Sequence, residues 1–459
     1  MNRSREFLRR LIVLVQSTTI LIVQTLFFAT YWFAYYAYAI NRPFWYRGNF
    51  LLIGLYAFFL FIFTSLFGGN RLGFKRVSDV IYTNLLAIIF TNLVIYVQIG
   101  LIDRGFALIS PMITLSFTQT LFIVLWSILS KYMYTKYFPP KKMLMVAGNI
   151  NSTDLKDKMD FNIDSFDVAE VVNINEGMDH VLEMVKQYRE VIISDVPSKE
   201  RNDILKLCYH RSIRVFMTPK ISDIIIRGAE NIHLFDTPLL LSNNKGLKYE
   251  QRFLKRAFDL VTASVAIILL AVPFLIIALL IKLTDKGPVF YTQDRLTQGS
   301  KIFKIIKFRS MRVDSEVDNV SRLAQVKDPR ITPIGKILRM THVDELPQVF
   351  NILMGDMSVV GPRPERPDIA YDYECSIPEF AYRLKVKAGL TGYAQVYGKY
   401  NTTPYDKLKL DLFYIENYNF VKDINIILLT IKIMFQPEKS EGVAETQVTA
   451  LQESNVKLK

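Results

Sequence analysis

Four apolar runs, each long enough to cross a bilayer, open this 459-residue chain. They cover roughly 11–40, 50–67, 80–102 and 112–134. A crossing takes about 20 residues, and Lys131 near the end of the fourth run is their one Lys or Arg. A chain so built is expected to span a membrane rather than fold as a soluble globule. The first run is too long for a signal peptide's apolar core and lacks a small-residue cleavage site after it. It is therefore expected to be retained.

The flanking charges give an orientation. Arg3, Arg5, Arg9, Arg10, Arg71, Lys75, Arg76, Lys131, Lys136, Lys141 and Lys142 fall on one side, against Arg42, Arg47 and Arg104 on the other. The positive-inside rule places the N-terminus and everything after residue 138 in the cytoplasm. Trp32, Tyr35, Tyr36, Phe44 and Trp45 are expected in the outer aromatic belt. The net charge of +13 has the same origin, since residues 1–142 alone carry +11. A basic excess inside the most apolar third of the chain is not the footprint of a nucleic-acid-binding surface. Two cysteines and four histidines form no disulfide framework and no metal spacing.

Residues 141–240 change character. The pattern predicts strands at 142–147, 168–172, 191–194 and 213–217, with helices at 178–188 and 198–210. That alternation implies a parallel, Rossmann-like α/β sheet. The first strand runs into GNIN rather than a G-x-G-x-x-G turn. A structural or regulatory domain is therefore favoured over nucleotide binding. A fifth apolar run at 260–281 holds Pro273 in its middle and has basic residues at both ends. Proline clashes with the preceding turn. A crossing would also strand a basic domain outside the cell. A re-entrant hairpin over 260–283, kinked at Pro273, satisfies both flanks.

The chemistry-bearing residues come later. KIFKIIKFRSM (301–311) sets Lys301, Lys304 and Lys307 among apolar positions. In ILRMTHVDELPQVFNILM (337–354), Thr341 followed by Asp344 three positions on reads as a capped helix start. Pro347 and the carboxylate pair Asp344–Glu345 would then lie in the first turn, where the helix dipole favours anions. Arg339 precedes the pair. Pro362 and Pro364 stiffen a loop around Arg363, whose planar fork suits phosphate oxygens. AGLTGYAQVYGK (388–399) is glycine-rich enough to approach a ligand closely. A carboxylate pair, fixed cations and a membrane-dipping segment suggest phosphate chemistry at a bilayer surface.

The motifs KRAFD (255–259), GPVFYTQDRLTQGSKIFKIIKFRSM (287–311), DELPQ (344–348), GDMSVVGPRP (355–364) and GLTGYAQV (389–396) carry a resemblance. Together with the proline-broken segment, they make the chain similar to the bacterial sugar transferases. These are polyprenyl-phosphate hexose-1-phosphate transferases that start capsule, exopolysaccharide and O-antigen synthesis. The four spans and middle domain resemble the family's long form. The resemblance implies four transmembrane helices (1–140), a Rossmann-like domain (141–240) and a membrane-associated α+β catalytic domain (250–437). A disordered tail (438–459) would follow.

It also implies a UDP-hexose donor, undecaprenyl phosphate as acceptor and UMP as product. Asp344 would be the nucleophile and Mg²⁺ ligand, with Mn²⁺ as an alternative metal, and Glu345 the supporting carboxylate. Lys307, Arg339, Arg363 and Lys399 would handle phosphate. Lys399 stands where relatives often carry Arg, and Val272 where many carry Ser. Self-association and partners in polysaccharide synthesis stay open. The competing reading is a non-catalytic membrane scaffold or regulator that senses a nucleotide through the middle domain.

Overall fold

The computed structural model describes residues 3–41, 43–44, 46–69, 77–148, 155–156, 159, 166–242, 246–285, 287–311, 330–398 and 402–434. The chain divides into two compact units, Met1–Thr218 and Pro219–Lys459.

The first unit begins with α1 (Arg3–Tyr31), which continues through a π turn at Trp32–Tyr36. Then come α2 (Arg47–Phe67), α3 (Val77–Asp103) and α4 (Ser110–Tyr137). Each is long and apolar enough to cross a membrane. Large apolar side chains such as Leu26, Phe58, Leu93 and Leu125 point outward, whereas polar ones turn inward. Gln119 donates to the Tyr56 hydroxyl at 2.7 Å, and the Asn92 amide donates to Gln119 at 2.9 Å. Gln24 and Gln119 exchange side-chain to backbone bonds across α1 and α4. Polar groups in an apolar surround must find partners on neighbouring helices, and these do. Trp32 departs from the expected aromatic belt. It is fully buried and donates to Asn49 at 2.9 Å. Trp45 lies outside the described residues.

The sheet of this unit is parallel, ordered β2-β1-β3-β4, from β1 (Lys142–Ala147), β2 (Asp167–Asn173), β3 (Glu190–Ser194) and β4 (Arg214–Met217). The helices α5 (Met178–Gln187) and α6 (Ser198–His210) supply Val181, Val185, Ile204 and Cys208 to its core. The predicted alternation is the one observed. Its sheet stops at Met217, however, well short of residue 240. The next helix, α7 (Ile221–Arg227), belongs to the second unit, where Ile221 and Ile224 join the core.

The second unit continues with an antiparallel hairpin, β5 (Glu230–Leu234) and β6 (Thr237–Leu241), and then α8 (Tyr249–Asp285). A second antiparallel hairpin follows, β7 (Phe290–Leu296) with β8 (Ile302–Phe308). Next are α9 (Pro333–Met340), α10 (Gln348–Met354), β9 (Met357–Val360), α11 (Pro367–Ser376) and β10 (Ala388–Thr391), with β9 and β10 parallel. Short α12 (Tyr393–Tyr397), α13 (Pro404–Glu416) and α14 (Phe420–Met434) complete it.

The segment expected as a hairpin over 260–283 is helical throughout, with Pro273 inside α8. It meets the domain on both sides of that proline. Before it, Ala263 is buried in the core; after it, the Phe274 ring lies 5.2 Å from Phe308, and Ile281 is buried beside Phe308 and Leu338.

The KRAFD stretch explains the helix's seat. Lys255 reaches Asp423 at 2.7 Å and the Tyr414 hydroxyl at 3.1 Å, all buried. Arg256 donates to the last carbonyls of α10, Ile352 at 2.7 Å and Leu353 at 2.9 Å. Cations at a helix C-terminus satisfy its orphan acceptors and its dipole. Asp259 accepts from the Val359 amide at 2.9 Å and the Ser358 hydroxyl at 3.0 Å, which fixes β9. One turn of α8 thus ties together α10, α14 and β9.

Candidate active site

The carboxylate pair occupies a single 3₁₀ turn, Val343–Glu345, between α9 and α10. This differs from the expected capped helix start. Thr341 closes α9 instead, with its hydroxyl donating back to the Ile337 carbonyl at 2.8 Å. His342 then takes a left-handed φ of 55°, and α10 begins only at Gln348 behind Pro347. The reversal at His342 breaks the periodicity that a helix from Thr341 would need.

Two elements converge on Glu345. β8 carries Lys307, whose ammonium donates to Glu345 Oε1 at 2.6 Å. The proline-flanked loop after β9 carries Arg363, which donates to the same oxygen at 3.0 Å. β8 is itself pinned by Asn351, fully buried on α10. Asn351 accepts from the Ile306 amide at 2.9 Å and donates to the Lys304 carbonyl at 2.8 Å. The Glu345 side chain is 16% exposed, against 19% for Lys307 and 48% for Arg363. Burial would raise its carboxyl, but Arg363 and Lys307 outweigh that and hold it well below the usual range. Glu345 is a fixed anion.

Asp344 is different. Burial, then the charge of Glu345, push its carboxyl above the usual aspartate value, while Lys307, Arg339 and His342 pull the other way. The helix dipole expected to hold both acids as anions is not what sets their charge: ion pairs fix Glu345 as an anion, while burial and the charge of Glu345 raise the Asp344 carboxyl. Arg339, in the last turn of α9, influences Asp344 through its charge. The two neighbouring residues therefore have opposite environments, one clamped anion and one desolvated carboxylate. Such a split is a frequent property of catalytic pairs.

The structure brings Asp344, Glu345, Lys307, Arg339 and Arg363 together. Pro273 is exposed on α8 and takes no part in this cluster. Lys399 lies outside the described residues. The glycines of the 388–398 stretch meet backbone rather than open space. A Cβ on Gly389 would come within 2.0 Å of the Gly361 nitrogen, and one on Gly392 within 2.1 Å of the Gly361 oxygen. Their role is to let β10 lie flat against the loop that carries Arg363.

Among the described residues no group of three or more His, Cys, Asp or Glu side chains could hold a metal. Asp344 and the second oxygen of Glu345 remain as oxygen donors. Mg²⁺ needs no more than one or two carboxylates when waters and substrate phosphates complete its octahedron. The residues present fit that kind of ion.

Residues not foreseen from sequence surround the Arg363 loop: Arg295, Glu365, Arg383 and Asp411. Arg295 donates to the Pro364 carbonyl at 3.1 Å, and Arg383 to the Arg363 carbonyl at 2.9 Å. Their charges share no local sequence pattern, and their partners around this loop lie 18–69 residues away.

A family model described as bacterial sugar transferase matches residues 250–437. The UDP-N-acetylgalactosamine-undecaprenyl-phosphate N-acetylgalactosaminephosphotransferase of Aeromonas hydrophila is 41% identical over 183 residues, covering 39% of this chain and 43% of that protein. The UDP-glucose:undecaprenyl-phosphate glucose-1-phosphate transferase of Escherichia coli (strain K12) is 40% identical over 211 residues, 45% of this chain and 44% of that protein. The exopolysaccharide production protein PSS of Rhizobium leguminosarum bv. phaseoli is 44% identical over 188 residues, 39% of this chain and 93% of that protein. The chain thus spans less than half the length of the first two relatives and nearly all of the third. With the dyad, its cations and the long apolar helix α8 in one unit, the chain belongs to the bacterial sugar transferase family.

Proposed function

We propose that the protein transfers a hexose-1-phosphate from a UDP-sugar to undecaprenyl phosphate, releasing UMP, as the first step of a cell-surface polysaccharide. The similarity to transferases named for that reaction supports the reading. The observation that carries it is the split dyad, with Glu345 locked between Lys307 and Arg363 and Asp344 left desolvated beside it.

In the first step an Asp344 carboxylate oxygen attacks the phosphorus that bears the sugar. The bond from that phosphorus to the bridging oxygen breaks, and UMP leaves with the electron pair. In the second, an oxygen of the lipid phosphate attacks the same phosphorus and frees Asp344. The product is a lipid diphosphate sugar. Splitting one displacement in two is covalent catalysis. A lipid phosphate is already an anion, so no general base is required. Lys307, Arg363 and Arg339 face the charge that gathers on the phosphoryl oxygens, where fixed cations stabilise most. Burial keeps Asp344 poorly solvated and therefore reactive once ionised. Asp344 and Glu345 would hold Mg²⁺ or Mn²⁺, which supplies charge neutralisation for the diphosphate.

We further propose that the catalytic unit lies on the cytoplasmic face and that α8 enters and leaves the bilayer on that face. The support is the flanking charge and the packing of α8 on one domain both before and after Pro273. Membranes containing the protein, given Mg²⁺, undecaprenyl phosphate and a panel of UDP-sugars, should release UMP from at least one. Full activity in Asp344→Asn would overturn the nucleophile assignment. External labelling of a cysteine placed at Thr284 in intact cells would overturn the re-entrant topology.

A further inference from the structure

The backbone around Arg363 is unusually well held. The Val360 carbonyl accepts from the Tyr414 hydroxyl, and the Pro362 carbonyl from the Gly389 amide at 2.9 Å. The Arg363 carbonyl accepts from Arg383, the Pro364 carbonyl from Arg295, and the Glu365 carbonyl from the Leu296 amide at 3.0 Å. Two of these five bonds come from guanidinium groups gripping consecutive carbonyls.

Arg383 is the more deeply placed of the two. Its side chain is 3% exposed, lies 2.8 Å from Asp411 Oδ2, pairs with Glu365 at 3.4 Å, and stacks 5.0 Å from the Phe380 ring centre. Asp411 is 1% exposed. Burying this ion cluster is costly unless every member is paired. An apolar core would hold α13 as well without that cost. What an apolar side chain could not do is donate to the Arg363 carbonyl.

We propose that Arg383 is a positioning residue for the site. It locks the main chain of Arg363 so that the Arg363 guanidinium reaches Glu345 Oε1 and presents its remaining donors to substrate phosphate. Arg383 and Glu345 are not bonded to each other among the described residues, so any coupling between them must run through Arg363. This inference rests on the transferase reading for its kinetic consequences, though not for its structural one.

Arg383→Lys keeps the positive charge against Glu365 and Asp411 but gives up the forked donor. The variant should fold, with a modest fall in thermal midpoint, and lose kcat/KM for UMP release by ~10- to 100-fold, the scale of a small misplacement of a catalytic group. In an Arg363→Gln background the same substitution should change the rate by less than twofold. An additive loss in the double variant, or a full rate in folded Arg383→Lys, would overturn the proposal.

A second measurement does not depend on activity. In detergent, the thermal shift caused by Arg383→Lys should shrink when Glu345 is already Gln, although the two side chains do not touch. Equal shifts in both backgrounds would overturn the coupling. Absence of UMP release by the wild type would count against the proposed function alone, and this thermal cycle would still decide the role of Arg383.

Discussion

Replacing Glu345 by Gln removes one charge and keeps the shape, so its consequences can be worked out in both sign and size. Two charge-assisted bonds converge on Oε1, at 2.6 Å from Lys307 and 3.0 Å from Arg363. Bonds to charged groups contribute about 1.5–3 kcal/mol each. Arg363 is 48% exposed and its share must be discounted for solvent screening. A loss of about 2–4 kcal/mol follows, read as a fall in thermal midpoint. The kinetic effects oppose one another. Loss of the neighbouring negative charge lowers the Asp344 pKa, so the acid limb of the rate profile moves to lower pH. Loss of the anchor lets Lys307 and Arg363 drift, and kcat/KM falls by ~10²–10³, as for other removed electrostatic groups. Purified protein, a coupled UMP assay between pH 5 and 9, and a melting curve measure all three. An acid limb that stays put or moves upward would refute the argument that Glu345 raises Asp344.

Further outcomes are expected elsewhere. Lys255→Met takes the ammonium away from Asp423, which is 1% exposed and keeps the Tyr414 hydroxyl at 2.7 Å, and should cost about 3–5 kcal/mol, while the double variant with Asp423→Leu regains most of it. Asn351→Leu strands the Ile306 amide and Lys304 carbonyl and should lower stability by about 2–4 kcal/mol, with a loss of activity because β8 carries Lys307. Burial, against the pull of Arg383, pushes the Asp411 carboxyl up to about 6. Since the folded value exceeds the unfolded one, its contribution to stability is fully present below about pH 4 and lost as pH rises through 6. The gain in melting temperature between pH 7 and 5 should therefore be smaller in Asp411→Asn. EDTA should abolish UMP release, and Mg²⁺ or Mn²⁺ should restore it; release that persists in excess chelator would exclude the proposed divalent ion.

The features legible in the sequence were those with a local cause. Apolar length gave the helices of the first unit, and strand–helix alternation gave its parallel sheet to within a residue or two. The dyad and its cations were visible as motif residues. What escaped depended on distant partners. KRAFD read as a motif without a task, because Asp423, Ile352 and Val359, which give it one, lie about 100 residues or more away. The glycines near 390 suggested room for a ligand, yet the backbone of Gly361 fills that room. Thr341 and Asp344 satisfied the pattern of a helix cap, and only the left-handed turn at His342 defeats it. Local propensity at such a position yields to the requirement that Glu345 meet Lys307 and Arg363.

The central claim is that Asp344 carries the sugar phosphate between the two substrates. The direct measurement is mass spectrometry of the peptide containing Asp344 after acid quench of full-length protein incubated with a competent UDP-sugar and Mg²⁺, without lipid acceptor. The account predicts a hexose-phosphate adduct on Asp344, one UMP released per adduct, and its disappearance on adding undecaprenyl phosphate. UMP release that requires the lipid, with Asp344 unmodified throughout, would contradict it.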